Sequence, residues 1–152
     1  MINIRYATHA DAEGIVRVHY DAVHGIASSI FYSSDILNSW SPSPTDQSSI
    51  NRFRQSLEDS ERFIVVAESA TNDVILGFGI VIPSKQEIHA VYVNPAFASQ
   101  GVGSKILLKL EEIALAHGAN KLYLDGSLNA ERFYSNHGLC SYEQGFTNIS
   151  MI

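Results

Sequence analysis

At 152 residues, with 45% hydrophobic residues and a net charge of −6, the chain is long enough to bury roughly two-thirds of its unfolded surface, and one domain spanning 1–152 is expected. The acidic balance argues against a nucleic-acid partner and suits a cationic or amine-bearing small molecule. No apolar run approaches the ~20 residues of a membrane span, Cys140 alone makes no disulfide framework, and Met1-Ile-Asn-Ile-Arg-Tyr6 reads as a strand rather than a leader, so a cytoplasmic protein with no membrane partner is expected.

In chain order, Ile2 to Ala7 reads as a strand, and Thr8 with Asp11 three positions on resembles a capping box. Ile15, Val18, Ala22 and Val23 then recur at helical spacing, with Gly25 as the stop. Ser33 or Ser34 can cap a short helix from Asp35 to Trp40. The breaker-rich stretch 41–49 is a loop ahead of a helix from about Gln47 to Leu57. Arg62 to Ala67 and Val74 to Ile82 read as strands joined by a turn at Ala70-Thr-Asn-Asp73, and Lys85 to Val93 as a further strand ending before Pro95. A helix follows over Lys105 to His117, then a short strand over Lys121 to Asp125, then a helix over Ser127 to Gly138.

Chemistry enters between Asn94 and Ser104. Gly101 and Gly103 allow a tight turn, so that successive N–H groups of Gln100, Gly101, Val102, Gly103 and Ser104 can face one cluster of ligand oxygens. The helix starting there adds the positive end of its dipole, which suits a phosphate or pyrophosphate. No Lys-(Ser/Thr) pair follows the glycines, which disfavours a nucleotide P-loop.

The order strand, phosphate loop, helix, strand, helix resembles the GCN5-related N-acetyltransferase (GNAT) superfamily. Its coenzyme loop pattern (Gln/Arg)-x-x-Gly-x-(Gly/Ala) is matched by Ala98-Ser99-Gln100-Gly101-Val102-Gly103, and its following helix signature by Asn129, Phe133, Tyr134 and Gly138. Ala98 departs from the usual Gln or Arg, leaving more of the pyrophosphate to backbone amides, and Leu139 replaces the usual Phe. The resemblance implies a three-layer α/β (α+β) GNAT fold: a mixed, mostly antiparallel sheet of six to seven strands, splayed at strands 4 and 5, with about four helices on both faces. It further implies acetyl-CoA as cosubstrate and no metal, with pantetheine lying along the backbone of Val91, Tyr92 and Val93 and meeting Asn129 and Phe133. Tyr134 would then donate a proton to the departing thiolate.

A phenol near pKa ~10 protonating a thiolate near ~8.5 is uphill by about 2 kcal/mol, so its environment must help. The attacking amine also needs a base: an alkylammonium of pKa ~10.4 is neutral in only about one molecule in 2500 at pH 7, a deficit of roughly 4 to 5 kcal/mol. Glu87 and His89, two apart on one strand face, and Asp125 at the end of the next strand are the candidates. The N–H of Tyr92 or a neighbour is placed to stabilise a developing oxyanion. Phe31, Tyr32 and Trp40 can line an amine pocket through cation–π contact. His19 and His24, five apart, make no convincing metal pair. The expected activity is acetyl transfer to a primary amine of a small molecule by direct attack in a ternary complex. A peptide or protein N-acetyltransferase, a non-catalytic acyl-CoA-binding or sensing module, and a homodimer stay open.

Overall fold

Phe63-Ile-Val-Val-Ala67 and Ile75-Leu-Gly-Phe-Gly-Ile-Val-Ile82 are nearly unbroken apolar runs, the pattern of strands covered on both faces. The protein's structure, a computed structural model, describes residues 1–25, 33–40, 43–124, 139–142 and 145–148. Among the described residues the strands are β1 (Ile2–Tyr6), β2 (Phe63–Ser69), β3 (Ile75–Ile82), β4 (Glu87–Val93), β5 (Leu122–Leu124), β6 (Leu139–Tyr142) and β7 (Gly145–Asn148). The helices are α1 (Ala12–Val23), α2 (Ser34–Trp40), α3 (Gln47–Ser56) and α4 (Val102–Ala116). The strands form one sheet in the order β1-β2-β3-β4-β5-β7-β6, antiparallel throughout except for the parallel β4–β5 pair. This is the GNAT arrangement expected above, with the strand count at its upper bound.

Alternation along the central strands feeds two cores. Val65, Ala67 and Val81 join Val102, Ile106, Leu107 and Leu110 of α4 on one face. Ile64, Val66, Phe78 and Ile80 join Ile15 and Val18 of α1 on the other. Each fully buried side chain of this kind contributes about 1.5–3 kcal/mol. The α4 layer lies close to β3 because two strand positions carry no side chain. A Cβ on Gly77 would come within 3.2 Å of Val102 Cγ1 and 2.8 Å of the Tyr92 carbonyl, and one on Gly79 within 2.5 Å of Ile106 Cγ2. Val102 occupies the hollow above Gly77 and is 1% exposed, so α4 begins there, three residues earlier than the periodicity implied.

The start of α1 is pinned to the sheet by charge. Asp11, 7% exposed, accepts from Arg5 through both carboxylate oxygens at 2.8 and 2.9 Å and from the Thr8 N–H at 2.7 Å, while Arg5 also donates to Glu68. The Thr8–Asp11 contact expected from sequence is present, although the turn it caps is a 3-10 turn, His9–Asp11, running into α1. Burial alone raises the Asp11 pKa, and the bonds from Arg5 and Thr8 outweigh it, so the carboxyl sits below its ordinary range. A depressed acid stabilises the fold above its unfolded pKa, near ~3.9, and loses that contribution as pH falls toward the folded value. Denaturant midpoints measured between pH 6 and pH 3 should therefore fall in the parent and fall less in Asp11→Asn. Equal acid limbs would show that the pair adds nothing.

Candidate active site

Strand β4 carries a β-bulge. Across β3, Ile80 faces Ala90 and Val81 faces Ile88, which leaves His89 as the extra residue. The bulge reverses the alternation: Ile88 joins the α4 core and Ala90, two residues on, joins the α1 core. Glu87 and His89 are brought together in the process, Nδ1 of the imidazole lying 2.7 Å from Oε1 of the carboxylate, with both side chains partly exposed.

The same residue marks the point where the described pairing of β4 with β5 ends, leaving an opening among the described residues. Among these, β4 and β5 pair through Glu87 with Tyr123 and Ile88 with Leu124. From His89 to Val93 the β5 side of β4 has no strand partner among the described residues. The Asn94 N–H donates to the Leu76 carbonyl at 2.9 Å, and antiparallel alternation from that bond assigns Tyr92 and Ala90 to the β3 ladder. The N–H and C=O groups of Val91 and Val93 consequently face the opening. Of the three backbones named above for pantetheine, those of Val91 and Val93 point away from β3, and the Tyr92 N–H is engaged with β3.

Beyond Val93 the chain bends into the start of α4 by a somewhat different route than the glycine pair implied. The Asn94 side chain accepts from the Ala96 N–H at 3.0 Å, Pro95–Phe97 form a 3-10 turn, and Ala98 is extended. Ser99 and Gly101 then take positive φ, 63° and 84°. Gly101 is the N-cap of α4, and the Lys105 N–H returns to its carbonyl at 3.1 Å. Gly103 lies inside the first helical turn rather than in the bend. A Cβ on Gly101 would meet nothing within 4 Å, so its conformation, not crowding, calls for glycine there. Gly101 carries no capping side chain, and the amides of Val102 and Gly103 have no acceptor within the helix, an arrangement suited to an anion. Val102 can offer only its backbone, since its side chain is buried; Ser99 and Gln100 are exposed and Ser104 is half-buried.

These features fit a pyrophosphate-linked thioester cofactor: a bend with an open approach, an uncapped helix start and a free stretch of strand edge in line with it. Asp125, Asn129, Phe133 and Tyr134 lie outside the described residues, as do Phe31 and Tyr32; Trp40 ends α2, with its side chain outside the description. Among the described residues no group of three or more His, Cys, Asp or Glu side chains gathers as metal ligands. No helix among them is long and apolar enough to cross a membrane.

The sequence reading missed the face of β4 turned toward α1. The His19 ring meets the Tyr92 ring edge-to-face at 4.8 Å, Tyr92 stacks on Phe78 at 5.5 Å, and Phe53 of α3 meets Phe78 at 5.7 Å. Burial raises the Tyr92 pKa, keeping the phenol neutral. Burial also lowers the His19 pKa, helped by the charges of His24 and Arg52. His19 falls one turn after Ile15 and beside Val18, on the apolar stripe of α1; that position was the available signal.

Residues 22–139 match the acetyltransferase (GNAT) family. No match is found among curated proteins. Among solved structures the chain is similar to a GCN5-related N-acetyltransferase from Rhodopseudomonas palustris, with a TM-score of 0.82 at 20% identity over 96% of this chain and 94% of that one. It is also similar to the PaiA N-acetyltransferase of Thermoplasma acidophilum in complex with coenzyme A, with a TM-score of 0.77 at 19% identity over 97% and 96%. YncA from Salmonella typhimurium with its cofactor acetyl-CoA follows with a TM-score of 0.66 at 18% identity over 97% and 90%. At such identities these likenesses carry the fold, and the family match carries the class. With Val91 and Val93 turned away from β3 and an uncapped helix start beyond them, the chain belongs to the acetyltransferase (GNAT) family, whose enzymes take their acetyl group from acetyl-CoA.

Proposed function

We propose that the whole chain acts as one catalytic unit that transfers the acetyl group of acetyl-CoA to a primary amine of a small molecule, by direct attack within a ternary complex. The observation that carries this reading is the Glu87–His89 pair on β4, where its described pairing with β5 ends. His89 follows the last described β4–β5 bridge, and its imidazole is partly exposed there. Its Nδ1 is engaged with the Glu87 carboxylate, which orients the ring and leaves Nε2 for the proton of an incoming ammonium. Asp125, the other candidate base, directly follows β5 in the chain and lies outside the described residues.

The cofactor supplies a thioester, an acyl group already activated toward amines. The backbone from Ala98 to Ser104 would hold its diphosphate, with Val91 and Val93 pairing with the amides of its arm and Asn129 and Phe133 completing that contact. Because Ala98 brings no polar side chain, helix and bend amides must supply most of the grip, and affinity should be modest. Tyr134 matches the family position for the proton donor to the departing thiolate. Phe31, Tyr32 and Trp40 belong to the acceptor side in this reading.

Calorimetric titration with acetyl-CoA, followed by an amine screen read as free thiol release, tests the proposal. Tyr134→Phe should lower kcat by roughly 10²-fold or more while acetyl-CoA still binds. If acetyl-CoA binds but no amine releases thiol, the sensing module replaces the enzyme.

A further inference from the structure

Phe53 of α3, Phe78 of β3, Tyr92 of β4 and His19 of α1 form a row of rings across the α1 face of the sheet. Phe53 meets Phe78 at 5.7 Å, Phe78 stacks on Tyr92 at 5.5 Å, and the His19 ring meets Tyr92 edge-to-face at 4.8 Å. The two phenylalanines carry no polar atom, whereas Tyr92 and His19, both half-buried, bring a hydroxyl and a pair of ring nitrogens. None of these polar atoms has a hydrogen-bond partner among the described residues. Nor is any of them sealed in: among the described residues no buried side-chain nitrogen or oxygen is left without a partner, so all of them reach solvent. Packing explains the rings but not the polar atoms at one end of the row, where a further phenylalanine would pack as well.

These atoms share a sheet face with the proposed base. Ile88 belongs to the α4 core, so Glu87 before it points to the α1 side, and His89 is held to Glu87 at 2.7 Å. Ala90 and Tyr92 belong to the α1 core. Between His89 and Tyr92, that face of β4 therefore carries only the methyl group of Ala90. The two residues are separated by roughly 7–10 Å along the strand, the bulge shortening the ordinary rise. Burial keeps the Tyr92 phenol neutral, and burial, followed by the charges of His24 and Arg52, favours the neutral His19 imidazole. An ionic group brought against these rings would give up its water and gain no counter-charge from either, whereas a hydroxyl or an amide would gain a hydrogen bond.

We propose that Tyr92 and His19 are specificity-determining residues that hydrogen-bond an uncharged polar group, a hydroxyl or a carboxamide, carried by the acceptor at a distance from its amine. With the amine at His89, a spacer of about three to five carbons and a hydrogen bond at each end cover the span to Tyr92. The acceptor is then an amino alcohol or an amino amide rather than an amino acid or a diamine. This inference rests on the acetyl-transfer reading and specifies its acceptor.

The test is a series from 2-aminoethanol to 6-aminohexan-1-ol, each measured beside the analogues ending in a carboxamide, a methyl, a carboxylate or a second ammonium group, with rates referred to the neutral amine. The hydroxyl or carboxamide members of intermediate length should exceed the methyl analogues in kcat/KM by roughly three- to tenfold, the size of an uncharged hydrogen bond, with most of the difference in KM. That ratio should fall toward one in Tyr92→Phe, which keeps the ring and removes the hydroxyl, and should fall in His19→Phe. No preference over methyl in the parent overturns the inference, as does a preference for the carboxylate or the diamine. A Tyr92→Phe loss equal on hydroxyl and methyl acceptors overturns it as well, because that is what a merely structural ring would give. A binding experiment separates the two readings without turnover. In the coenzyme A complex, calorimetry should show N-acetyl-4-aminobutan-1-ol binding more tightly than N-pentylacetamide by the same ratio, and Tyr92→Phe should lose it. Equal Kd values in the parent sink the inference even if amines are acetylated. Absence of thiol release from every amine sinks the acetyl-transfer reading instead.

Discussion

Gly79→Ala should destabilise the protein by about 2–3 kcal/mol, the upper part of the range for inserting a methyl group into a packed core. The added Cβ would lie 2.5 Å from Ile106 Cγ2 and 2.8 Å from Leu110 Cδ1, both on fully buried residues of α4. Neither side chain has a free direction, because Ile106 and Leu110 belong to the same core as Val65, Val81 and Ile88. Either α4 lifts from the sheet or β3 bends away from it. Thermal unfolding should show a loss of roughly 5–10 °C for a chain of this length. In a double-mutant cycle with Ile106→Ala, which removes the clashing methyl group, the paired variant should lose less than the sum of the two single losses. Strict additivity would mean that the clash is not what costs stability. Because α4 also presents the cradle, the variant should bind acetyl-CoA more weakly wherever it remains folded.

His89→Gln should lower kcat by roughly 10²- to 10⁴-fold for an alkylamine at neutral pH, the range for losing a positioned base. The deficit should depend on the acceptor. An amine of pKa ~10.4 lacks its neutral form by roughly 4 to 5 kcal/mol at pH 7, whereas one near ~7.8 lacks it by only about 1 kcal/mol. The more basic acceptor should suffer more, and raising the pH should restore part of its rate. Glu87→Gln, which keeps a hydrogen-bond acceptor beside Nδ1 but removes the charge, should cost less and move the pH profile, as a positioning residue would. A His89→Gln enzyme with kcat and pH profile within about twofold of the parent would transfer the role to Asp125 or to a water chain.

The bend proposed to hold the coenzyme was legible in the chain because its chemistry is local. A bend, a helix start and an apolar strand before them occupy adjacent residues, and glycine at position 101 answers a backbone requirement that no distant residue alters. The strands β2 and β3 were legible for a related reason: a run of apolar residues covered on both faces needs no partner to be recognised. The loop's details were less so. The positive φ at Ser99 and the helical placement of Gly103 follow from where Val102 finds its hollow above Gly77, which is a contact with β3.

The amino-acid sequence by itself determined the order of elements, the family and the types of residue available for acid–base chemistry, since propensity, periodicity and short motifs are properties of neighbouring residues. Tertiary structure decided how those residues are aimed. Only pairing with β3 makes His89 a bulge, joins it to Glu87 and leaves Val91 and Val93 facing the opening while Tyr92 does not. Only packing of α1 across the sheet sets His19 against Tyr92. Register and interlayer packing join residues tens of positions apart, and no local pattern encodes which of several similar side chains will meet.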